Sequence, residues 1–114
     1  MAAFNGATAQ ENSMTRYLMG DGTVVDTENA TQTWEEGTHW DGRHYISLAT
    51  GTAGHHQTLF RSRKGRYFLE HSSSWQSTPP TAEWVCHHAA IFWLVANDHE
   101  IPEDLLELAE SISE

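Results

Sequence analysis

QTLFRSRKGRYFLEH, residues 57–71, reads as a β-hairpin with a basic tip, and its reading decides the fold. Two runs of strand formers, Thr58-Leu59-Phe60 and Tyr67-Phe68-Leu69, flank Arg63-Lys64-Gly65. A glycine in the left-handed conformation closes a three-residue loop of this kind. That loop sets Ser62 against Arg66, Arg61 against Tyr67, Phe60 against Phe68 and Leu59 against Leu69. Side chains alternate along a strand, so Phe60 and Phe68 point one way and Leu59, Tyr67 and Leu69 the other. A ribbon that is apolar on both faces belongs at the centre of a sheet, covered on each side by helices or by a second subunit.

The tip carries Arg61, Arg63, Lys64 and Arg66, four of the six Lys and Arg in the chain. Such a tip is either a phosphate or nucleic-acid contact or a solvated turn that keeps the end of a sheet in water. A net charge of −10 repels a phosphate backbone at long range and favours the solvated turn. Arg61, Arg63 and Arg66 remain candidates for contact with a ligand or partner, with nucleic acid disfavoured.

At 114 residues and 12.8 kDa the chain fits one domain that buries roughly two-thirds of its unfolded surface. A single cysteine, Cys86, leaves no disulfide within the chain and suits a reducing compartment, the cytoplasm of a prokaryote. The longest apolar run, residues 89–96, is far short of the ~20 residues that cross a bilayer. The composition predicts a soluble protein with no membrane partner. Sixteen acids against six bases favour basic partners, and eight histidines bring the charge toward neutrality as the pH falls.

Residues 1–14 are small and polar and read as a mobile leader, with Met14 an alternative start; residues 15–114 form the domain. Tyr17 and Met19, a turn at Asp21-Gly22, and Thr23-Val24-Val25 make a first hairpin. Asp26-Thr27 either caps a short helical turn or leads into extended chain, and alternation favours a strand over 31–36. The acceptor pattern Asn29-Ala30-Thr31 is taken as chance. Loops at Gly37 and Trp40-Asp41-Gly42 precede a strand over 43–49. His71 to Ser74, Trp75 and Ser77 to Pro80 read as a loop, followed by a short strand over 82–85.

Residues 86–97 read as a helix with Ala90, Trp93, Leu94 and Asn97 on one face; Ala89, Phe92 and Ala96 make the opposite flank apolar too, so cover nearly all round is expected. Pro102 opens a second helix with Leu105, Leu108, Ala109 and Ile112 as its buried stripe. The chain is therefore predicted to be α+β: an antiparallel sheet of about five strands with two C-terminal helices packed on it.

Few patterns carry chemistry. The histidines lack the spacings of a strong metal site; the weak candidates are His55, His56 and His71, which flank the central hairpin. Cys86-His87-His88 at a helix N-terminus has the ingredients of an activated thiol, but a buried structural cysteine is the simpler expectation. No phosphate-binding glycine loop or nucleophile elbow is present, and no catalytic residue or cofactor is implied. Five tryptophans exceed what one small core usually buries, so a homodimer face built from Trp40, Trp75 or Phe92 is expected.

Tyr17, the run from Val25 to Ala30, the hairpin from Thr58 to Leu69, and Ala90-Ile91-Phe92-Trp93-Leu94 together resemble a group of small bacterial proteins carried on phages, plasmids and integron gene cassettes. The resemblance covers residues 15–97. It implies a prokaryotic mobile-gene origin and supplies no activity, cofactor or catalytic residue. The reading is a small non-enzymatic binding or interaction module that self-associates. Its alternatives are an acidic decoy of a DNA-binding protein, from seven acids and no bases over 98–114, and a small-molecule-binding protein or enzyme using Cys86 or a histidine cluster.

Overall fold

A computed structural model of the chain describes residues 16–74 and 79–114. The leader, residues 1–14, and Trp75 lie outside them. The fold is α+β. Its main sheet has four antiparallel strands in the order β3 (Gln32–Glu35), β6 (His55–Arg61), β7 (Tyr67–Ser73) and β8 (Thr81–Val85). Two short hairpins stand beside it, β1 (Arg16–Leu18) with β2 (Val24–Asp26) and β4 (Thr38–Trp40) with β5 (Tyr45–Ser47). Helices α1 (His87–Ala96) and α2 (Glu103–Ser111) close the chain. Among the described residues no helix is long and apolar enough to cross a membrane.

The central ribbon has the expected register, with Arg61 opposite Tyr67, Phe60 opposite Phe68 and Leu59 opposite Leu69. Gly65 takes φ +88°, and its N–H donates to the Ser62 carbonyl, closing the tip. The pleat separates two cores. Leu59 and Tyr67 pack with Ala90, Ile91, Trp93 and Leu94 of α1 and Leu105 of α2. Phe60 and Phe68 stack at 5.1 Å and are covered by Met19 and Val25 of the first hairpin. One face is thus sealed by helices and the other by a β-hairpin of the same chain. Neither face of the ribbon requires a second subunit.

The expected strand over 43–49 shortens to β5, which pairs with β4 rather than joining the main sheet. Strand β4 replaces an expected loop, because Thr38, His39 and Trp40 are exposed and leave no apolar alternation to read. Strand β7 runs on through His71 to Ser73, also expected to be loop, since those residues pair with Gln57, His56 and His55. Asp26 caps the one-turn helix over Thr27–Asn29, its side chain accepting from the Glu28 N–H; β3 follows, so both readings of that segment occur in succession.

Helix α1 buries the expected face, and its Asn97 cap is buried as well. Its other flank is not covered: Phe92 is 67% and Val95 61% exposed, and Ala89 and Ala96 are exposed beside them. Asn97 fastens the end of α1 to the loop before β4, donating from Nδ2 to the Trp93 carbonyl and accepting the Gly37 N–H at Oδ1, both at 2.8 Å.

Candidate anion-binding cleft

The tip of the central ribbon and the first hairpin meet along the edge of the Phe60–Phe68 core. Between them lies a cleft of about 550 Å³. Four cations line it: Arg16 from β1 and Arg63, Lys64 and Arg66 from the tip. Val24 and Val25 from β2 and Phe68 and Trp84 from the main sheet supply its apolar wall, and Thr23, Asn29 and Ser62 its neutral polar groups. Asp26 is the one acid in the lining. On a chain of net charge −10, four of six basic side chains converge on one concave surface.

Asp21 in the turn of the first hairpin organises the far wall. Its carboxylate accepts from the Thr23 hydroxyl at 2.6 Å and the Thr23 N–H at 3.1 Å. Trp84 Nε1 also donates to it, at 3.1 Å, and Arg66 Nη1 at 3.2 Å. These donors, Thr23 first, hold the Asp21 carboxyl well below the usual carboxylate range. The Arg66 guanidinium also lies over the Trp84 ring, 3.6 Å from its centroid, a cation–π contact that fixes where its charge points. Arg16 reaches Asp26 at 3.4 Å. Arg63 and Lys64 are exposed and, among the described residues, neither forms a salt bridge with a carboxylate.

The structure divides the basic tip. Arg63 and Arg66 line the cleft, but Arg61 turns to the helical face, where its Nε donates to Asp104 at 3.1 Å and its Nη1 to Thr31 Oγ1 at 3.0 Å. Tyr67 donates to the same Asp104 oxygen at 2.8 Å. Arg61 is therefore a staple between β6 and the start of α2. Burial, and then the hydrogen bond to Asp104, raise the Tyr67 phenol above the ordinary tyrosine range.

The remaining candidates are dispersed. Trp40 is 53% exposed and leans on Tyr45 at 4.9 Å, far along the chain from Phe92 on α1. Trp34 and Trp93 join the helical core, which accounts for two of the tryptophans expected to exceed its capacity. Cys86 is exposed at the N-cap of α1, correcting the expectation of a buried thiol, and makes no side-chain capping bond.

His56 and His71 lie on opposite faces of the sheet, each with its own carboxylate. His71 Nε2 donates to Glu83 at 2.6 Å, and its Nδ1 faces Gln57, whose Oε1 accepts from Trp93 Nε1. His56 Nδ1 donates to Glu36 at 2.7 Å, with Ser74 Oγ 3.4 Å from Nε2. Glu36 also accepts from Ser47 Oγ and the Gln57 N–H, so its oxygens brace three segments. His55 is exposed on β6, and the three do not converge; among the described residues no group of three His, Cys, Asp or Glu side chains is placed to hold a metal ion.

Sequence reasoning missed Arg16, Val24 and Trp84 in the lining, and Asp21, which anchors Trp84 and Arg66 without lining the cleft itself. No local spacing signals them, because Asp21 is 45 positions from Arg66 and 63 from Trp84. Comparison of the chain with protein-family models, curated proteins and solved structures finds no match.

Proposed function

We propose that this protein is a small non-enzymatic binding module whose cleft between the two hairpins holds a small anionic ligand. One observation carries the reading: Arg16, Arg63, Lys64 and Arg66 border a single cleft of about 550 Å³, within the range of small-ligand sites. Collecting four like charges costs free energy unless something of opposite sign offsets it. Asp21 and Asp26 offset Arg66 and Arg16, which leaves Arg63 and Lys64 for a ligand. The acidic remainder of the chain repels an extended polyanion while leaving a short one free to enter. The resemblance to bacterial mobile-gene proteins and the lone cysteine support a prokaryotic, cytoplasmic setting for the module.

Titration of the protein with sodium pyrophosphate at low ionic strength, followed by amide chemical shifts, tests the reading. Saturable shifts confined to residues 62–66 and 23–29, weakening with added salt, are expected. Shifts elsewhere, or none at millimolar pyrophosphate, would overturn it.

The exposed flank of α1 supports a second reading, self-association as a homodimer. Phe92 and Val95 stand in water on a helix whose opposite face is core, and aromatic side chains of this kind dominate interfaces. Light scattering across a concentration series should give twice 12.8 kDa for the wild type and the monomer mass for Phe92→Ser; monomer at every concentration would sink it. The acidic-decoy alternative has less support, because Asp104, one of the acids over 98–114, is occupied by Arg61 and Tyr67.

A further inference from the structure

The cleft is built for more than charge. Its apolar wall includes Val24, which is 66% exposed although its neighbour Val25 is buried against Phe60 and Phe68. An exposed β-branched side chain next to a row of cations gains nothing from a bare phosphate ion. It gains from an apolar surface laid against it.

We infer that the ligand is an amphiphilic organic anion: a phosphate or carboxylate head held by Arg63 and Lys64, and a flat apolar body laid against Val24 and the edge of Trp84. The inference rests on the anion-binding reading of the same cleft. Three features fit this chemistry together. The two cleft cations without a carboxylate partner among the described residues are adjacent on the loop and exposed, so a terminal anionic group reaches both at once, as a point charge on Lys64 and a forked contact on Arg63. Trp84 is held rigidly, its indole N–H spent on Asp21 and one ring face covered by Arg66. The wall is therefore preformed, with little left to order when a ligand arrives. Ser62, whose Oγ already accepts from the Arg66 N–H, and Asn29 sit in the lining and give the ligand hydroxyl and amide contacts between head and body.

The size of the cleft and the charge of the chain narrow the class further. About 550 Å³ accommodates a fused bicyclic ring with its anionic group but not a polymer. Of the six bases only Arg43 and Arg61 lie outside this cleft, and Arg61 is committed to Asp104, so no basic track leads away from it for a nucleic-acid strand to follow.

Calorimetric titration of the full chain with 1-naphthyl phosphate, sodium phosphate and neutral 1-naphthol separates head from body. Naphthyl phosphate is expected to bind at least about tenfold more tightly than phosphate, as burial of an aromatic body implies, and naphthol more weakly than naphthyl phosphate by a similar factor. The double variant Arg63→Ser/Lys64→Ser should lose most naphthyl phosphate binding, whereas Arg43→Ser, outside the cleft, should retain it. Val24→Ser should weaken naphthyl phosphate about threefold or more and leave phosphate unchanged. Equal affinity for phosphate and naphthyl phosphate would overturn the amphiphile while leaving the anion site in place. Binding of naphthol as tight as that of its phosphate would overturn the anionic head. Failure of both anions to bind would remove the site altogether, and with it this inference.

Discussion

Arg66 of the central ribbon and Asp21 of the first hairpin meet at 3.2 Å, joining two pieces of chain that share no strand pairing. Asp21 is held in its ionised form by Thr23, Trp84 and Arg66, so its carboxyl titrates lower in the folded protein than in the unfolded chain. A group depressed in this way contributes its full stability above its unfolded pKa, about 3.9, and loses it progressively as the pH falls from there toward the lower folded value. Thermal unfolding at pH 7 and pH 3 should therefore show a larger drop in Tm for the wild type than for Asp21→Asn, in which the acid-sensitive part is already absent. Equal drops would mean that the bridge does not hold the hairpin.

At the other end of the pH scale the tyrosines act. Burial and a carboxylate acceptor raise the phenols of both Tyr17, bonded to Glu70, and Tyr67, bonded to Asp104. Groups raised in the fold give stability that is full below the unfolded pKa, about 10, and declines as the pH rises beyond it. In a Tyr45→Phe background only these two tyrosines remain. Their tyrosinate absorbance at 295 nm should rise together with the loss of β-sheet circular dichroism. A rise in absorbance while the sheet stays intact would show the phenols to be accessible.

Asn97 closes two backbone accounts at once. Replacing it with leucine keeps the volume but leaves the half-buried Gly37 N–H without its acceptor, and an unmet donor out of water costs up to about 1–3 kcal/mol. Urea unfolding of Asn97→Leu should lower the midpoint by that energy divided by the slope, with the slope itself unchanged. No shift would mean that water satisfies the Gly37 N–H equally well.

Gly65 at φ +88° and Asp98 at φ +64° both take left-handed backbone, one without a Cβ and one with. Gly65→Ala should cost about 1 kcal/mol, since a Cβ is strained there, even though it would meet nothing closer than Arg61 Nη2 at 3.7 Å. Asp98→Gly should do the reverse at the end of α1 and stabilise by about 0.5–1 kcal/mol. If the two substitutions moved stability in the same direction, backbone strain would not be what distinguishes them.

What could be read from the sequence was local. Gly65 and its alternating flanks determine the ribbon register within fifteen residues, and the spacing of Ala90, Trp93, Leu94 and Asn97 marks the face of α1 that is buried. The bare flank of α1 was not legible, because a helix apolar all round gives no moment to say which side the fold covers. The cleft was half legible. Arg63 and Arg66 stand out as charge on a turn, while Arg16, Val24 and Trp84 join them only through tertiary packing. The basic tip looked like one feature, and it is two: Arg61 points to the opposite side of the sheet because strand alternation reverses its direction relative to that of Phe60.

The Phe60–Phe68 side of the sheet is capped by a hairpin of two three-residue strands, against two helices on the Leu59–Tyr67 side. That hairpin is a flap with few rungs of its own, and amides there should exchange with deuterium ahead of those in β6 and β7. Because the flap also forms one wall of the cleft, a molecule seated there clasps it shut, and occupancy should slow that exchange without touching the rest of the sheet.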